Sequence, residues 1–200
     1  MFNKKPKIIC ITGSDGSGKS TLIANLLNEL PNAKEVTIWD AFNNKKVSIF
    51  SNKKEIDMYL CLLSSDARVL FLSHALKYAI DKAIDSKAEI ILLNAYYYKY
   101  FSSEISYGAS RLLIKSLVEI YPVPDINIFL SLSPEISVLR KKQLSKYECG
   151  CKEATRENFI NFQQKVNESF KIYIQPDWFE LDAQNSPEEL KNKTLKILSL

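Results

Sequence analysis

The residues with the clearest chemical potential form one glycine-rich stretch, Gly13–Ser20, which reads GSDGSGKS. It matches the phosphate-binding pattern G-x-x-x-x-G-K-[ST] at every fixed position, between an apolar run and an amphipathic one. Such a loop points its backbone N–H groups at a phosphate, beside the positive N-terminus of the following helix. The pattern therefore predicts a nucleotide-binding loop, and three of the five glycines of the chain lie in it.

Each residue type in this loop predicts its own contact. Lys19 is expected to reach the β- and γ-phosphates of ATP, and the Ser20 hydroxyl is expected to bind Mg²⁺. ATP and Mg²⁺ are therefore the expected cofactors. The predicted ATP-binding residues are Gly13, Ser14, Asp15, Gly16, Ser17, Gly18, Lys19, Ser20 and Thr21.

Composition and charge limit the classes of protein to which the chain can belong. The 200 residues are 46% hydrophobic and 25% charged, with a net charge of +4, as in an ordinary soluble domain. This mild basicity suits an anionic small ligand, and we expect no nucleic-acid partner. No apolar run approaches the roughly 18 residues of a membrane span or resembles a signal peptide. We therefore expect a cytoplasmic protein without a membrane partner.

Alternating strand-like and helix-like segments predict the fold. Short runs rich in Ile, Leu and Phe are typical of buried parallel strands, and amphipathic segments lie between them. The predicted strands are 7–12, 34–39, 89–94, 126–132 and 178–182, and the predicted helices are 19–30, 56–86 with a candidate break at 64–66, 110–120, 135–144, 155–174 and 186–198. We predict a single α/β domain over residues 1–200, a three-layer sandwich around a five-stranded parallel sheet, which is the P-loop nucleoside triphosphate hydrolase fold.

The four cysteines fall into two groups. Cys10 and Cys61 lie inside apolar runs, which is typical of small core residues. Cys149 and Cys151 flank Gly150 in a polar segment, where they could bind a metal or form a redox pair. A structural zinc site is not favoured, because the chain has no second pair of this kind and only one histidine.

The order of motifs along the chain resembles that of the thymidylate kinase family of nucleoside monophosphate kinases. The stretches that carry the resemblance are GSDGSGKST at 13–21, DARVLF at 66–71, PDINIFLSLSPEISVLRK at 124–141, RENFINFQQKVNESFKIY at 156–173 and FELDAQNSPEEL at 179–190. The resemblance implies Mg²⁺-dependent transfer of a phosphoryl group from ATP to a nucleoside monophosphate, above all dTMP to dTDP. It also implies a homodimer.

The resemblance implies an acceptor site as well. Asp15 resembles a contact to the sugar hydroxyl of the acceptor, Arg68 resembles a phosphate contact, and Tyr96 matches the tyrosine of the family's Asp-Arg-Tyr motif. We therefore expect Asp15, Arg68 and Tyr96 to bind substrate. Trp39 and Phe42 are candidate neighbours of the acceptor base.

A short basic lid is implied at about 140–156. One plan of the family has a catalytic arginine in the phosphate loop, and the other has glycine there and uses basic residues of the lid. Gly16 stands at that position, so the chain resembles the second plan. Arg140 and Arg156 are therefore expected to be catalytic together with Lys19, because the guanidinium fork matches phosphate.

One departure from the family pattern leaves the activity open. Where the family has Asp-Arg-Tyr, this chain has Asn94, Ala95 and Tyr96, so an acid near Mg²⁺ and a cation for the acceptor phosphate are missing. Lys99 or Arg111 could replace that cation. The alternatives to a dTMP kinase are a nucleotide-binding protein without turnover and a kinase for another nucleotide or nucleoside acceptor.

Overall fold

A parallel β-sheet lies at the centre of this computed structural model, which describes residues 5–42, 50 and 52–198. Its strands are β1 (Lys7–Gly13), β2 (Ala33–Val36), β3 (Ile90–Asn94), β4 (Ile126–Ser131) and β5 (Phe179–Asp182). The order is β2-β3-β1-β4-β5, and every neighbouring pair is parallel. The predicted five-stranded parallel sheet is confirmed.

The pairing of β1 determines where the phosphate loop lies. On one side Ile9 of β1 is opposite Leu92 of β3, and on the other Ile11 is opposite Ile128 of β4. The chain builds the sheet outward from β1 in both directions, which opens a crevice at the carboxyl ends of the central strands. The loop that follows β1 therefore lies in this crevice.

Helices cover both faces of the sheet. They are α1 (Lys19–Glu29), α2 (Lys53–Leu62), α3 (Ser65–Ile84), α4 (Tyr97–Ser106), α5 (Arg111–Val118), α6 (Pro134–Arg140), α7 (Arg156–Phe170) and α8 (Pro187–Ile197), with short 3-10 turns at Ile38–Ala41 and Tyr147–Cys149. Within the described ranges, no helix combines the length and the apolar character needed to cross a membrane.

The core forms two layers because successive strand residues face opposite sides of the sheet. Ile8 and Cys10 of β1 pack in the cluster that includes residues of α3 and α4. Ile9 and Ile11 pack in the cluster that includes residues of α1 and α8. The strand β1 is therefore apolar on both faces, and the three-layer arrangement is confirmed.

Two predicted segments end where side chains hydrogen-bond to the backbone. The predicted helix 56–86 divides at the candidate break, because Ser64 accepts a hydrogen bond from the Ala67 N–H and caps α3. The predicted strand 34–39 stops at Val36. There Thr37 accepts from the Trp39 N–H and Asp40 accepts from the Thr37 N–H, which starts a 3-10 turn.

The helix α4 has no counterpart among the predicted helices. Its sequence begins with four tyrosines in five residues from Tyr96 to Tyr100, an aromatic run typical of strands. In the structure the rings of Tyr96, Tyr97 and Tyr98 pack against one another and against Tyr121, Tyr173 and Trp178. Tertiary burial of the rings therefore decides the local structure.

The cysteines pair differently from the sequence-based prediction. Cys61 of α2 forms a disulfide with Cys151, which lies 90 residues further along the chain. Cys10 is free and buried, as predicted, and Cys149 is also free and buried. The interpretation of Cys61 as a small core residue is wrong, because its partner comes from a segment that the sequence does not connect to α2.

Candidate active site

The glycine-rich loop Gly13–Ser20 leads from the end of β1 into α1. Gly16 has a φ of 82°, in the region that favours glycine. A Cβ there would lie only 3.1 Å from the carbonyl oxygen of Ser137 on α6, and the Ser137 hydroxyl donates to the Asp15 carbonyl. Since α6 supports the loop this closely, position 16 has no room for a catalytic arginine.

Lys19 begins α1, but its side chain turns back over the loop. The ammonium donates to the carbonyl oxygens of Gly13 at 3.0 Å and Ser14 at 2.6 Å, and to Ser17 Oγ at 3.3 Å. Burial lowers the pKa of Lys19 to about 8, although the nearby Asp15 carboxylate acts to raise it. The charge of Lys19 therefore faces any phosphate that the loop holds.

A cleft of about 800 Å³ opens beside the loop. The predicted ATP-binding residues from Asp15 to Thr21 line it, whereas Gly13 and Ser14 do not line it and hold Lys19. Its other charged and aromatic lining residues are Glu35, Lys53, Asp57, Lys99, Arg140, Lys141, Glu148, Trp39, Tyr100 and Tyr147. Groups that could bind two anionic ligands therefore share one cleft.

The predicted metal residue Ser20 is connected to a carboxylate through Asn94. The Asn94 side-chain amide donates to Ser20 Oγ at 3.0 Å and to Glu35 Oε1 at 2.7 Å. All three residues line the cleft. A serine hydroxyl and a carboxylate are hard oxygen donors of the kind that Mg²⁺ prefers, so the residues present fit this metal.

Asp15 and Lys99 form an ion pair across the cleft, with 3.1 Å between Nζ and Oδ2. Burial acts to raise the pKa of the Asp15 carboxyl, but the charges of Lys99, Lys19 and Lys141 outweigh it and hold that pKa well below its usual range. Asp15 is therefore a carboxylate at neutral pH. It can accept a hydrogen bond from a sugar hydroxyl.

Arg68 lies outside the residues that line the cleft, in a buried cluster between helices. Its Nε pairs with Glu104 at 2.7 Å, and Nη1 donates to the carbonyls of Leu60 and Leu63. Its guanidinium also stacks on Tyr107, 4.0 Å from the ring centre. The predicted substrate contact of Arg68 would require these bonds to break, so this geometry does not support it.

Tyr96 is also absent from the cleft lining. Its ring is fully buried among other tyrosines, and its hydroxyl donates to the Pro122 carbonyl at 2.6 Å. Phe42 likewise packs on Phe71 in an aromatic cluster outside the cleft. Trp39 alone of these aromatic candidates lines the cleft, where Lys53 lies 5.1 Å from its ring centre.

The two predicted lid arginines differ in position. Arg140 ends α6, lines the cleft and donates to the Ala183 carbonyl at 2.9 Å. Arg156 begins α7, is exposed and does not line the cleft. Their catalytic roles stay predictions, and only Arg140 stands where it can reach a ligand in the cleft without movement of the segment.

The segment 140–156 contacts the buried cluster through Tyr147. The Tyr147 hydroxyl donates to Glu104 Oε1 at 2.7 Å, and its carbonyl accepts from the Tyr107 hydroxyl. Lys141 and Glu148 of the same segment form an ion pair at 2.5 Å. The cluster thus connects the segment to α3 and α4.

Comparison with known proteins identifies the family of the chain. The model of the family described as "Thymidylate kinase" matches residues 11–194. The chain belongs to the thymidylate kinase family. It is 27% identical over 198 residues to "Probable thymidylate kinase 1" of Saccharolobus solfataricus, covering 96% of each chain. It is also 27% identical over 207 residues to a thymidylate kinase of Leptospira interrogans, covering 98% of this chain and 96% of the relative.

A solved structure of the thymidylate kinase from Candida albicans has the same fold. The TM-score is 0.71 at 21% identity, over 98% of this chain and 92% of that chain. This likeness supports the P-loop fold and, with the family match, makes the chain a kinase-type phosphotransferase by family.

Three cleft residues of this thymidylate kinase family member were not among the predicted site residues. Glu35 is the only acid of β2 and lies near the carboxyl end of the strand, a position that could have indicated it. Tyr147 and Glu148 gave no signal in the sequence. They reach the cleft only because the segment that carries them contacts α4 and α7.

Proposed function

We propose that this protein transfers the γ-phosphoryl group of ATP to dTMP in a Mg²⁺-dependent reaction that gives ADP and dTDP. The observation that carries the proposal is the shared cleft. Lys19 and Ser20 face the same space as Trp39, Lys99 and Tyr100. A donor and an acceptor bound there would have their phosphates adjacent, as in-line transfer requires.

The phosphate loop would bind the donor. The β- and γ-phosphate oxygens of ATP would replace the loop carbonyls that now accept hydrogen bonds from Lys19. Arg140, which donates to the Ala183 carbonyl, and Trp39 both line the cleft. We assign the donor base to the part of the cleft beside Ala183 and the acceptor to the part beside Trp39, the acceptor end.

Ser20 would hold Mg²⁺, with Asn94 orienting the Ser20 hydroxyl and Glu35 orienting the Asn94 amide. When bound, Mg²⁺ neutralises the charge on the phosphate oxygens during transfer. The acceptor phosphate oxygen forms the new bond to the γ-phosphorus while the bond to the β–γ bridging oxygen breaks, and ADP leaves. Lys19 stabilises the charge that develops on the transferred group.

The acceptor end supplies an aromatic and apolar wall for a base. Trp39, Tyr100 and Tyr147 line it together with Leu60 and Leu72. Asp15, at the boundary with the phosphate loop, would accept a hydrogen bond from the sugar hydroxyl of the acceptor. A pyrimidine nucleotide suits this mixture of stacking surface and the Asp15 carboxylate.

Four further parts complete the proposal, of which the lid and the homodimer rest on the resemblance. The segment 140–156 acts as a lid of a single domain that spans residues 1–200. The protein is a cytoplasmic homodimer, joined through the exposed face of α3 and α5. Leu70, Tyr78 and Ile120 on this face are 52%, 43% and 45% exposed, and they line one groove of about 400 Å³.

The test is ADP formation from MgATP by the purified protein, with dTMP, dUMP, other nucleoside monophosphates and thymidine as acceptors. We expect turnover with dTMP that is lost in Lys19→Ala. Turnover with thymidine alone would favour a nucleoside kinase, because Ala95 supplies no cation for an acceptor phosphate. ATP binding without turnover on any acceptor would contradict the proposal and identify a nucleotide-binding protein.

A further inference from the structure

Lys99 is a buried cation four residues after the position of the missing arginine. It lies in the first turn of α4, one helical turn after Ala95, and both residues line the cleft. Ala95 has a φ of 56°, a conformation that turns the chain sharply between β3 and α4. Ala95 and Lys99 therefore border the same cleft, in which an arginine at position 95 would have to lie.

The charge of Lys99 faces the phosphate loop. Nζ lies 3.1 Å from Asp15 Oδ2, and the two side chains are only 9% and 18% exposed. Burial acts to lower the pKa of Lys99, but Asp15 outweighs it and holds that pKa above its ordinary value. Lys99 is therefore charged at neutral pH, and burying this charge is costly unless an anion accompanies it.

In the described part of the cleft the charged lining side chains include one more cation than carboxylates, which favours a bound anion: Lys19, Lys53, Lys99, Arg140 and Lys141 against Asp15, Glu35, Asp57 and Glu148. Lys141 is paired with Glu148, and Lys19 lies on the loop, where it faces the donor. Lys99 has one carboxylate as partner but three N–H donors. A phosphate oxygen can therefore bind Lys99 while the ion pair with Asp15 is kept or exchanged.

We propose that Lys99 binds the phosphate of the acceptor and so replaces the arginine that the family has at position 95. The inference rests on the proposed function. It assigns to Lys99 the preference of the enzyme for a nucleoside monophosphate over a nucleoside as the acceptor. Asp15 keeps Lys99 directed at the phosphate loop. The positive N-terminal end of α4 adds to the attraction for the phosphate.

The test compares dTMP with thymidine, which differ only in the phosphate, by titration calorimetry on the intact protein. Wild type is expected to bind dTMP more tightly. Lys99→Met should weaken dTMP binding at least tenfold and change thymidine binding less than threefold, whereas Lys99→Arg should retain the preference. Lys115→Met, which removes an exposed lysine of α5, is the matched control.

If Lys99→Met weakens the binding of dTMP and thymidine equally, or weakens neither, the proposed role of Lys99 is overturned. Lys99 would then be only the partner of Asp15. Because Lys99→Met leaves Asp15 buried and unpaired, Asp15→Asn/Lys99→Met is measured as well, and it should show the same loss of phosphate preference. If wild type binds no nucleoside monophosphate, the proposed function fails together with this inference. If wild type turns over dTMP and Lys99→Met has an unchanged KM for dTMP, only this inference fails.

Discussion

At the scale of single residues, Lys19 has to remain charged in a site that favours its neutral form. Its pKa is about 8 because burial disfavours the ammonium. The phosphates of ATP would favour the ammonium, so binding at about pH 8 should take up about half a proton per site. The affinity for ATP should therefore fall as the pH rises above about 8.

Calorimetry in two buffers of different ionisation enthalpy measures this uptake. It should nearly vanish at about pH 7, where Lys19 is already protonated. Lys19→Arg, whose guanidinium does not titrate in this range, is the control and should show no uptake. Binding at about pH 8 without proton uptake by wild type would contradict the assignment of Lys19 to the phosphates.

Glu35 is expected to act on Mg²⁺ through Asn94 and Ser20. Glu35→Gln removes the carboxylate that accepts from the Asn94 amide and should raise the Mg²⁺ concentration for half-maximal velocity about tenfold. Saturating Mg²⁺ should restore most of kcat. Glu180→Gln, on the exposed edge strand β5, is the matched control. An unchanged Mg²⁺ dependence would remove Glu35 from the metal site.

At the scale of elements, the two ends of the lid segment should contribute unequally to catalysis. Arg140→Ala should lower kcat/KM for ATP at least about tenfold, because this guanidinium lines the cleft. Arg156→Ala, the same truncation at the other end of the segment, should lower kcat/KM for ATP less than about threefold. Steady-state kinetics with ATP varied decide this, and the reverse order would show that the segment moves before transfer.

The disulfide Cys61–Cys151 should stabilise the fold by connecting α2 to the lid segment. It closes a loop of 90 residues, so Cys61→Ser/Cys151→Ser should lower the free energy of unfolding by roughly 2–4 kcal/mol. Urea unfolding measures this loss. Wild type in dithiothreitol should match the double variant, which itself should not respond to the reductant. Equal stability of oxidised wild type and the variant would show that the two thiols are not bonded in solution.

At the scale of the whole molecule, the exposed apolar face of α3 and α5 predicts self-association. Tyr78→Glu would bring a charge into the proposed interface and should convert the dimer to a monomer in sedimentation velocity. Leu139→Glu, at a 68% exposed apolar residue on α6, should leave the dimer intact. A wild type that sediments as a monomer at every concentration would exclude the homodimer.

The phosphate loop and the layered sheet could be predicted from the amino-acid sequence. Gly13–Ser20 is contiguous, and its backbone conformation depends on local glycines and on the following helix start. The strands β1, β3 and β4 could be recognised because each is an apolar run of its own. The break at 64–66 could also be recognised from local sequence. Features of this kind can be predicted without knowledge of contacts between residues that are far apart in the sequence.

The set of distant residues that share the cleft could not be predicted from the sequence, because it depends on the folded arrangement of separate elements. Lys99, Glu35 and Tyr147 come from three separate elements. Arg68 lies outside the cleft, where it pairs with Glu104, 36 residues further along the chain. The helical state of α4 also depends on burial of its rings against other elements. Long-range burial and ion pairing outweigh local preference at these positions, because a buried charge must find its partner wherever the fold provides one.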